Sequence, residues 1–404
     1  MILTPTPTTG SEQGEVLARA RVFLRDNADA FGDTREFLAR QFDAGLAWAH
    51  FPDGVGGCGA SFSDHQAIIA LFAEAGAPDP RSVNSVGWGV IAPAIAEFGT
   101  RNLQERSLRR LFVGDDRYCQ LFSEPGAGSD LAGLATRAVR VDDGWRVTGQ
   151  KVWTSRGMTS TRGALLARTD PNVPKHRGIT FFVIDLGQPG VEVRPLRQIT
   201  GASQFAEVFL TDAFVPDADR VGEVGDGWNV ATAALMSERR YNSNRMVAGG
   251  STRSVDQDGF RQLVDAIELT GGPSAMGDAT MSRVAELWVQ FEALRLWRWR
   301  SRVQSKGGKS ADGAVGKVLW AEAGQAAGAL AMEVLGTDGL LWEDVTVEPT
   351  LPDSTIVRGY LRVRAYSIEG GTSEIHKNVI GERILGLDRE ASVDKELPWK
   401  DVPR

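Results

Sequence analysis

The chain has 404 residues, 42% of them apolar and 24% charged, close to the average for soluble globular proteins and enough for two or three packed units. It contains no run of about 18 apolar residues, which excludes a membrane-spanning helix. A net charge of -7, with 45 Lys and Arg scattered along the chain, argues against nucleic acid as a partner.

Residues 1–10 are rich in Thr and Pro and lack both the basic start and the apolar centre of a secretory signal, so a frayed tail is expected. From Glu12 to about Arg117 apolar residues recur at helical spacing, as in Val16, Ala20, Phe23 and Leu24 and again in Ile68, Ile69, Leu71 and Phe72. Gly/Pro clusters at residues 51–59 and 76–80 read as loops between these helices. Between about Tyr118 and Val221 the period falls to two. Val139 and Val141 are expected to face Trp145 and Val147 across an Asp142-Asp143-Gly144 hairpin turn. Ile179, Phe181 and Val183, then Val191 and Val193, then Phe205, Glu207 and Phe209 continue the alternation. Helical spacing returns at Trp228 and predicts a buried stripe of Val284, Leu287, Trp288, Phe291 and Leu294. The Ala/Gly-rich stretch 313–335 suits close helix packing in a bundle. The expected class is α+β, with an N-terminal helical domain (1–117), a middle antiparallel β domain (118–222) and a C-terminal helical bundle (223–404).

Cys58 and Cys119 form no CxxC pair, which suits a reducing, cytoplasmic setting and gives no zinc pattern. His50, His65, His176 and His376 lack ligand spacing, so surface or capping roles are expected and no metal site.

Three segments carry chemistry. The first, 119–130 (CQLFSEPGAGSD), is a loop of small and hydroxyl residues where backbone can approach a ligand. It lacks the third glycine of a dinucleotide fingerprint and leads into a sheet, so taken alone it is equally a glycine-rich turn. The second, 148–155 (TGQKVWTS), sets Trp153 among hydroxyls that suit a flat ring, although an indole in a strand is more often plain core. The third, 367–375 (SIEGGTSEI), offers Thr372 as an N-cap and free N–H groups at a helix start.

In this order, SEPGAGSD, GQKVWTS and EGGTSEI resemble the acyl-CoA dehydrogenase family of flavoproteins over essentially the whole chain, with support from residues 178–185 (GITFFVID), 205–216 (FAEVFLTDAFVP) and 221–228 (VGEVGDGW). The resemblance implies an acyl-CoA dehydrogenase-like fold, FAD as cofactor and an oxidoreductase of lipid metabolism. Gln120, Phe122, Ser123, Gly128 and Ser129 would line flavin and thioester, with Ser129 also on the substrate side. Trp153 and Ser155 would cover the ring and bond near N5, and Thr154 would add backbone or hydroxyl contacts. Thr372 and Glu374 would meet the FAD pyrophosphate, while Arg239 and Gly371 would support substrate.

The implied reaction removes an α proton with a carboxylate and passes a β hydride to flavin N5, giving the trans-2-enoyl thioester. The thioester oxygen must accept hydrogen bonds that strengthen as enolate charge develops, one of them implied from the Gly370 N–H. Many members carry the catalytic glutamate immediately before Gly-Thr, where this chain has Gly370. Ser237-Glu238-Arg239 resembles instead the arrangement of isovaleryl-CoA and long-chain acyl-CoA dehydrogenases, which makes Glu238 the expected base and Glu369 the runner-up. An Arg-x-x-Phe-Gly motif, through which many members reach a neighbouring subunit's FAD, is absent between Ser251 and Arg283, where Arg283 is the alternative source of charge. Implied partners are an acyl-CoA or carrier-protein thioester, electron transfer flavoprotein, and either a homotetramer or a heterotetramer with a related subunit. The alternative functions are a non-catalytic half-site subunit of such a heteromer and a flavin-dependent monooxygenase on the same fold.

Overall fold

The computed structural model describes residues 10–243, 255–304, 312–340, 356–389 and 394–403, with side chains described for 14–237, 259–301 and 313–340 in the first three spans. The expected tail, residues 1–10, falls outside this range except for Gly10. Several helices begin where a polar residue caps an apolar-periodic run. In chain order the first are α1 (Gly10–Asp26), α2 (Thr34–Asp43), α3 (Phe62–Glu74), α4 (Pro80–Val86), α5 (Ala92–Phe98) and α6 (Arg101–Val113). Asp33 caps α2 by accepting from the Glu36 N–H, Ser61 and Asp64 form a reciprocal capping box on α3, and the Thr100 hydroxyl caps α6. Tightly packed aromatics fill the space between these helices, with Trp48 and Phe112 ring centres 4.9 Å apart.

Eight strands follow: β1 (Tyr118–Leu121), β2 (Arg137–Val141), β3 (Gly144–Ser155), β4 (Arg162–Arg168), β5 (Ile179–Asp185), β6 (Val191–Leu196), β7 (Phe205–Pro216) and β8 (Arg220–Val221). They form one sheet in the order β6-β7-β3-β2-β4-β5-β8, with β1 paired to β4. Most pairs are antiparallel, but β1 and β4 run parallel because the β2–β3 hairpin intervenes as a crossover between them. Both faces of the central strands are covered. Ala164, Leu166, Phe181 and Val183 pack with the helices, while Leu165, Ala167, Phe182 and Ile184 join a second cluster on the other face. Burial on both faces explains the near-continuous apolar runs of β4 and β5.

Helix α7 (Gly227–Ser243) follows, then α8 (Val255–Leu269), α9 (Asp278–Gln304), α10 (Asp312–Leu335), α11 (Ile356–Arg362) and α12 (Ser373–Arg383). The chain divides into two compact units, one of Met1–Leu196, Phe205–Thr252 and Val393–Arg404, the other of Arg197–Gln204 and Arg253–Ser392. In the second, Gly328 of α10 lies where an added Cβ would stand 3.3 Å from Val363 and 3.5 Å from the Tyr360 backbone, so the small residues do permit close packing.

Four expectations are corrected at this level. The hairpin turns on Asp142-Asp143, so Val141 pairs with Gly144 and Ala138 with Val147. Val139 and Val141 therefore face solvent while Trp145 and Val147 are buried. In β7 the buried set is Ala206, Val208 and Leu210, the last two in the second cluster, rather than Phe205, Glu207 and Phe209, which are half-buried. Trp288 is 54% exposed, because one residue past Leu287 turns it about 100° off the buried stripe of α9. His65 is fully buried rather than at the surface. It follows Phe62 by three residues on the inward face of α3, and its ring lies 4.6 Å from that of His50.

Arg168 closes the first unit. It is buried, donates to the backbone oxygens of Leu134, Lys175 and Ala132 at 3.0, 3.0 and 2.6 Å, and lies 4.4 Å from the ring centre of Trp399. Arg168→Met strips three carbonyls of a donor and is expected to lower the unfolding free energy by about 3 kcal/mol or more in urea titrations, against about 1 kcal/mol for Trp399→Leu.

Candidate active site

In the first unit, β1 delivers residues 122–130 to the end of the sheet. Glu124 and Ala127 exchange backbone hydrogen bonds of 3.0 Å each way, closing a tight turn over Pro125 and Gly126. The Glu124 side chain turns inward and accepts from the Ala135 and Thr136 N–H groups at 2.7 and 2.9 Å. Lys151 of β3 is fully buried, and its ammonium donates to Glu124 at 2.8 Å and to the Phe122 carbonyl at 3.0 Å. One residue on, the Val152 N–H donates to the Ser123 carbonyl at 3.0 Å. The first two motif segments are thus stapled together. Neither Glu124 nor Lys151 was singled out from the sequence, although the single Lys of the second motif and the acidic residues of the first were the available signal.

Burial alone would raise the Glu124 carboxyl, but the Lys151 charge and the hydrogen bonds from Lys151, Thr136 and Ala135 outweigh it and hold the group below the usual carboxylate range. Burial pulls Lys151 down to about 8 against the opposing pull of Glu124.

Beyond Lys151 the pairing of β3 with β7 slips by one residue, so that Lys151 opposes Val208 and Thr154 opposes Ala206. Trp153 sits on this bulge with φ of 59°, a left-handed conformation rare for a bulky side chain. The expectation that a strand indole is core fails here: Trp153 is 58% exposed and braced edge-on by Phe205 at 5.8 Å. Ser155 is exposed as well, whereas Thr154 turns inward and its hydroxyl has no partner among the described residues. The Gln120 amide nitrogen is likewise buried without an acceptor. Phe122 is buried against Phe181, Ser123 is half-buried, and Gly128 and Ser129 are exposed, with open space where a Cβ on Gly126 or Gly128 would lie. An outward indole, open loop backbone and unmatched amide and hydroxyl groups fit a flat ring with a polar edge, as a flavin has.

Helix α7 and Leu131 line a recess of about 120 Å³ formed with Trp228, Ala231, Thr232, Leu235 and Met236. Glu238 and Arg239 lie in α7 with side chains outside the described residues; Glu238 follows Leu235 by three positions and Ala231 by seven, the spacing of one helix face.

In the second unit, Gly370 and Gly371 have φ of 64° and 95°, and a Cβ on Gly371 would stand 3.0 Å from the His376 ring. The Thr372 hydroxyl caps α12 by accepting from the Ile375 N–H at 3.2 Å, and Glu374 lies in the first turn. Both Glu369 oxygens accept from one Arg362 nitrogen, at 2.9 and 2.7 Å. Arg283 is engaged by Glu333, at 2.5 and 2.9 Å.

Models described as the N-terminal, middle and C-terminal domains of acyl-CoA dehydrogenase match residues 12–115, 119–213 and 225–385. The chain is 38% identical over 368 residues to the acyl-CoA dehydrogenase IpdE1 of Mycobacterium tuberculosis, covering 90% of each. It is 39% identical over 349 residues to the acyl-CoA dehydrogenase FadE34 of that organism, covering 86% of this chain and 45% of the relative. Among solved structures, the ChsE4-ChsE5 complex from Mycobacterium tuberculosis matches with a TM-score of 0.66 at 29% identity, over 96% of this chain and 100% of the matched one.

Lys151→Met leaves Glu124 charged, buried and without its counter-ion, and is expected to lower the unfolding free energy by about 3–5 kcal/mol at pH 7. Between about pH 8 and 10.5 the unfolded chain holds the Lys151 proton more fully than the native chain, so this residue's contribution to stability rises with pH through that window. The wild-type urea midpoint should therefore gain on that of Lys151→Met as pH rises from 8 to 10; a gap that narrows contradicts the assignment. The Glu124 contribution has the carboxylate sign, complete above the usual range and lost as acid titrates its lowered native pKa.

Proposed function

The chain belongs to the acyl-CoA dehydrogenase family, a flavin-dependent family of oxidoreductases, and we propose that it dehydrogenates an acyl-CoA thioester across the α,β bond. The observation that carries this reading is the Lys151–Glu124 staple, which leaves the Trp153 indole outward beside a loop with an open backbone. Gln120, Phe122, Ser123, Gly128, Ser129, Trp153, Thr154, Ser155, Thr372 and Glu374 are the residues that would hold FAD. When bound, FAD supplies the acceptor for the hydride that leaves the β carbon.

Glu238 takes the α proton onto its carboxylate. The Gly370 N–H donates to the thioester oxygen, which stabilises the charge that develops there as the C–H bond breaks. Ser129, Arg239 and Gly371 orient the substrate. Glu369 is disfavoured as the base because Arg362 already engages both its oxygens. Electron transfer flavoprotein in a cytoplasmic setting is the acceptor that suits this chemistry.

A second reading draws on Gly370, on the lack of an Arg-x-x-Phe-Gly motif and on the likeness to a two-protein complex: the chain works in a heterotetramer with a related subunit. Co-expression with such a subunit, followed by sizing, should yield a mixed assembly; a homotetramer with full flavin occupancy and turnover contradicts this reading.

Anaerobic titration of the flavin-loaded protein with a broad panel of acyl-CoA thioesters should bleach the visible flavin band. Glu238→Gln should slow that bleaching by about 10²–10⁴-fold while acyl-CoA still binds, and Glu369→Gln should stay near wild type. Full-rate bleaching in Glu238→Gln removes Glu238 from its role, and no bleaching with any thioester contradicts the activity.

A further inference from the structure

A second recess of the first unit, about 210 Å³, lies between residues 82–86 of α4, the start of β1 and the turn at 156–160 that follows β3. One wall is held rigidly by Asn84, which breaks the helical geometry of α4 with φ of -153°. Its amide donates to the Asp116 carbonyl at 3.0 Å and accepts from the Gly87 and Tyr118 N–H groups at 3.1 and 3.2 Å. The opposite wall is the turn after Ser155, where Arg156 has φ of 57° and its carbonyl accepts from the Thr159 and Ser160 hydroxyls at 3.2 and 3.0 Å.

No residue lining this recess is acidic, whereas two are arginines, in a chain whose net charge is -7. Among the described residues neither the Arg117 nor the Arg156 guanidinium has a hydrogen bond or an ion pair, while most other arginines near the sheet do. The adjacent carboxylate, Asp116, is already held by Arg110 at 2.8 and 3.0 Å. Of the lining hydroxyls, those of Ser82, Thr159 and Ser160 donate to backbone carbonyls and that of Tyr118 pairs with Ser107, which leaves Ser85 as a neutral donor. Burial pushes the Tyr118 phenol up to about 12, so it adds no negative charge to the recess. Two uncommitted guanidiniums with a free hydroxyl match the lone pairs of an oxyanion, to which arginine can present paired N–H donors.

We propose that this recess is a binding subsite for an oxyanion, a carboxylate or phosphate group borne by a ligand, held by Arg117, Arg156 and Ser85. None of the residues lining it is assigned to proton abstraction or to holding flavin, although Arg156 directly follows Ser155 in the chain. The subsite therefore does not depend on the assignment of Glu238.

The test is the thermal midpoint of the flavin-loaded protein, titrated separately with inorganic phosphate and with butyrate at constant ionic strength set with chloride. Saturable stabilisation by at least one anion is expected. Arg117→Met and Arg156→Met should each weaken the apparent affinity at least tenfold, Ser85→Ala should weaken it less, and Arg194→Met, in a surface pair with Glu192, should leave it unchanged. Each variant's midpoint in chloride alone checks that it folds as wild type. Saturation by butyrate alone identifies a carboxylate as the source, and saturation by phosphate alone a phosphate. No saturation with either, or the same saturation in the double variant Arg117→Met/Arg156→Met, overturns the proposal.

Discussion

A lysine with no exposed surface, ion-paired to a glutamate that also takes two backbone N–H groups, is the constraint from which the candidate site follows. Removing both charges from water is costly, and the pair offsets that cost because Lys151 has two acceptors and both Glu124 oxygens have donors. Apolar residues of similar volume could fill the space, but they would leave the Phe122 carbonyl and the Ala135 and Thr136 N–H groups unmatched. The pair also fixes the register in which Ser123 meets Val152, and the bulge that turns Trp153 outward begins at the next residue. Loop position, strand strain and indole exposure are three results of one electrostatic choice.

Much of the fold was legible, because period and punctuation are local. The change from helical spacing to alternation near Tyr118 and back near Trp228 marks the sheet correctly, and Thr372 caps the last helix as read. What failed was face and register. The Asp142-Asp143 turn shifts the hairpin by one residue, which turns Val139 and Val141 outward while Trp145 and Val147 stay inside. Alternation alone has two solutions, and only packing against a neighbour chooses between them. Trp288 and His65 err in opposite directions for a related reason: a helix wheel gives an angle, but the width of the buried arc depends on what packs beside it.

At the candidate site, the first two motif segments meet through atoms that the motif reading did not name. Glu124 and Lys151 are 27 positions apart, and nothing in either segment alone announces that the two charges meet. Trp153 lies in the second motif, and its exposure depends on a bulge that is a property of two paired strands. In the second unit the two glycines follow from positive φ, and the engagement of Glu369 by Arg362 turns on a contact seven residues apart across a helix end. That contact engages both Glu369 oxygens, which spacing alone does not reveal.

Flavin retention tests the stapled site most directly. Wild type and Lys151→Met, each confirmed as folded, are mixed with excess FAD, passed through gel filtration and assayed for bound FAD per chain. The staple's role as the frame of the cofactor site predicts wild-type retention and clear loss in the variant; equal retention with an unchanged visible spectrum contradicts it.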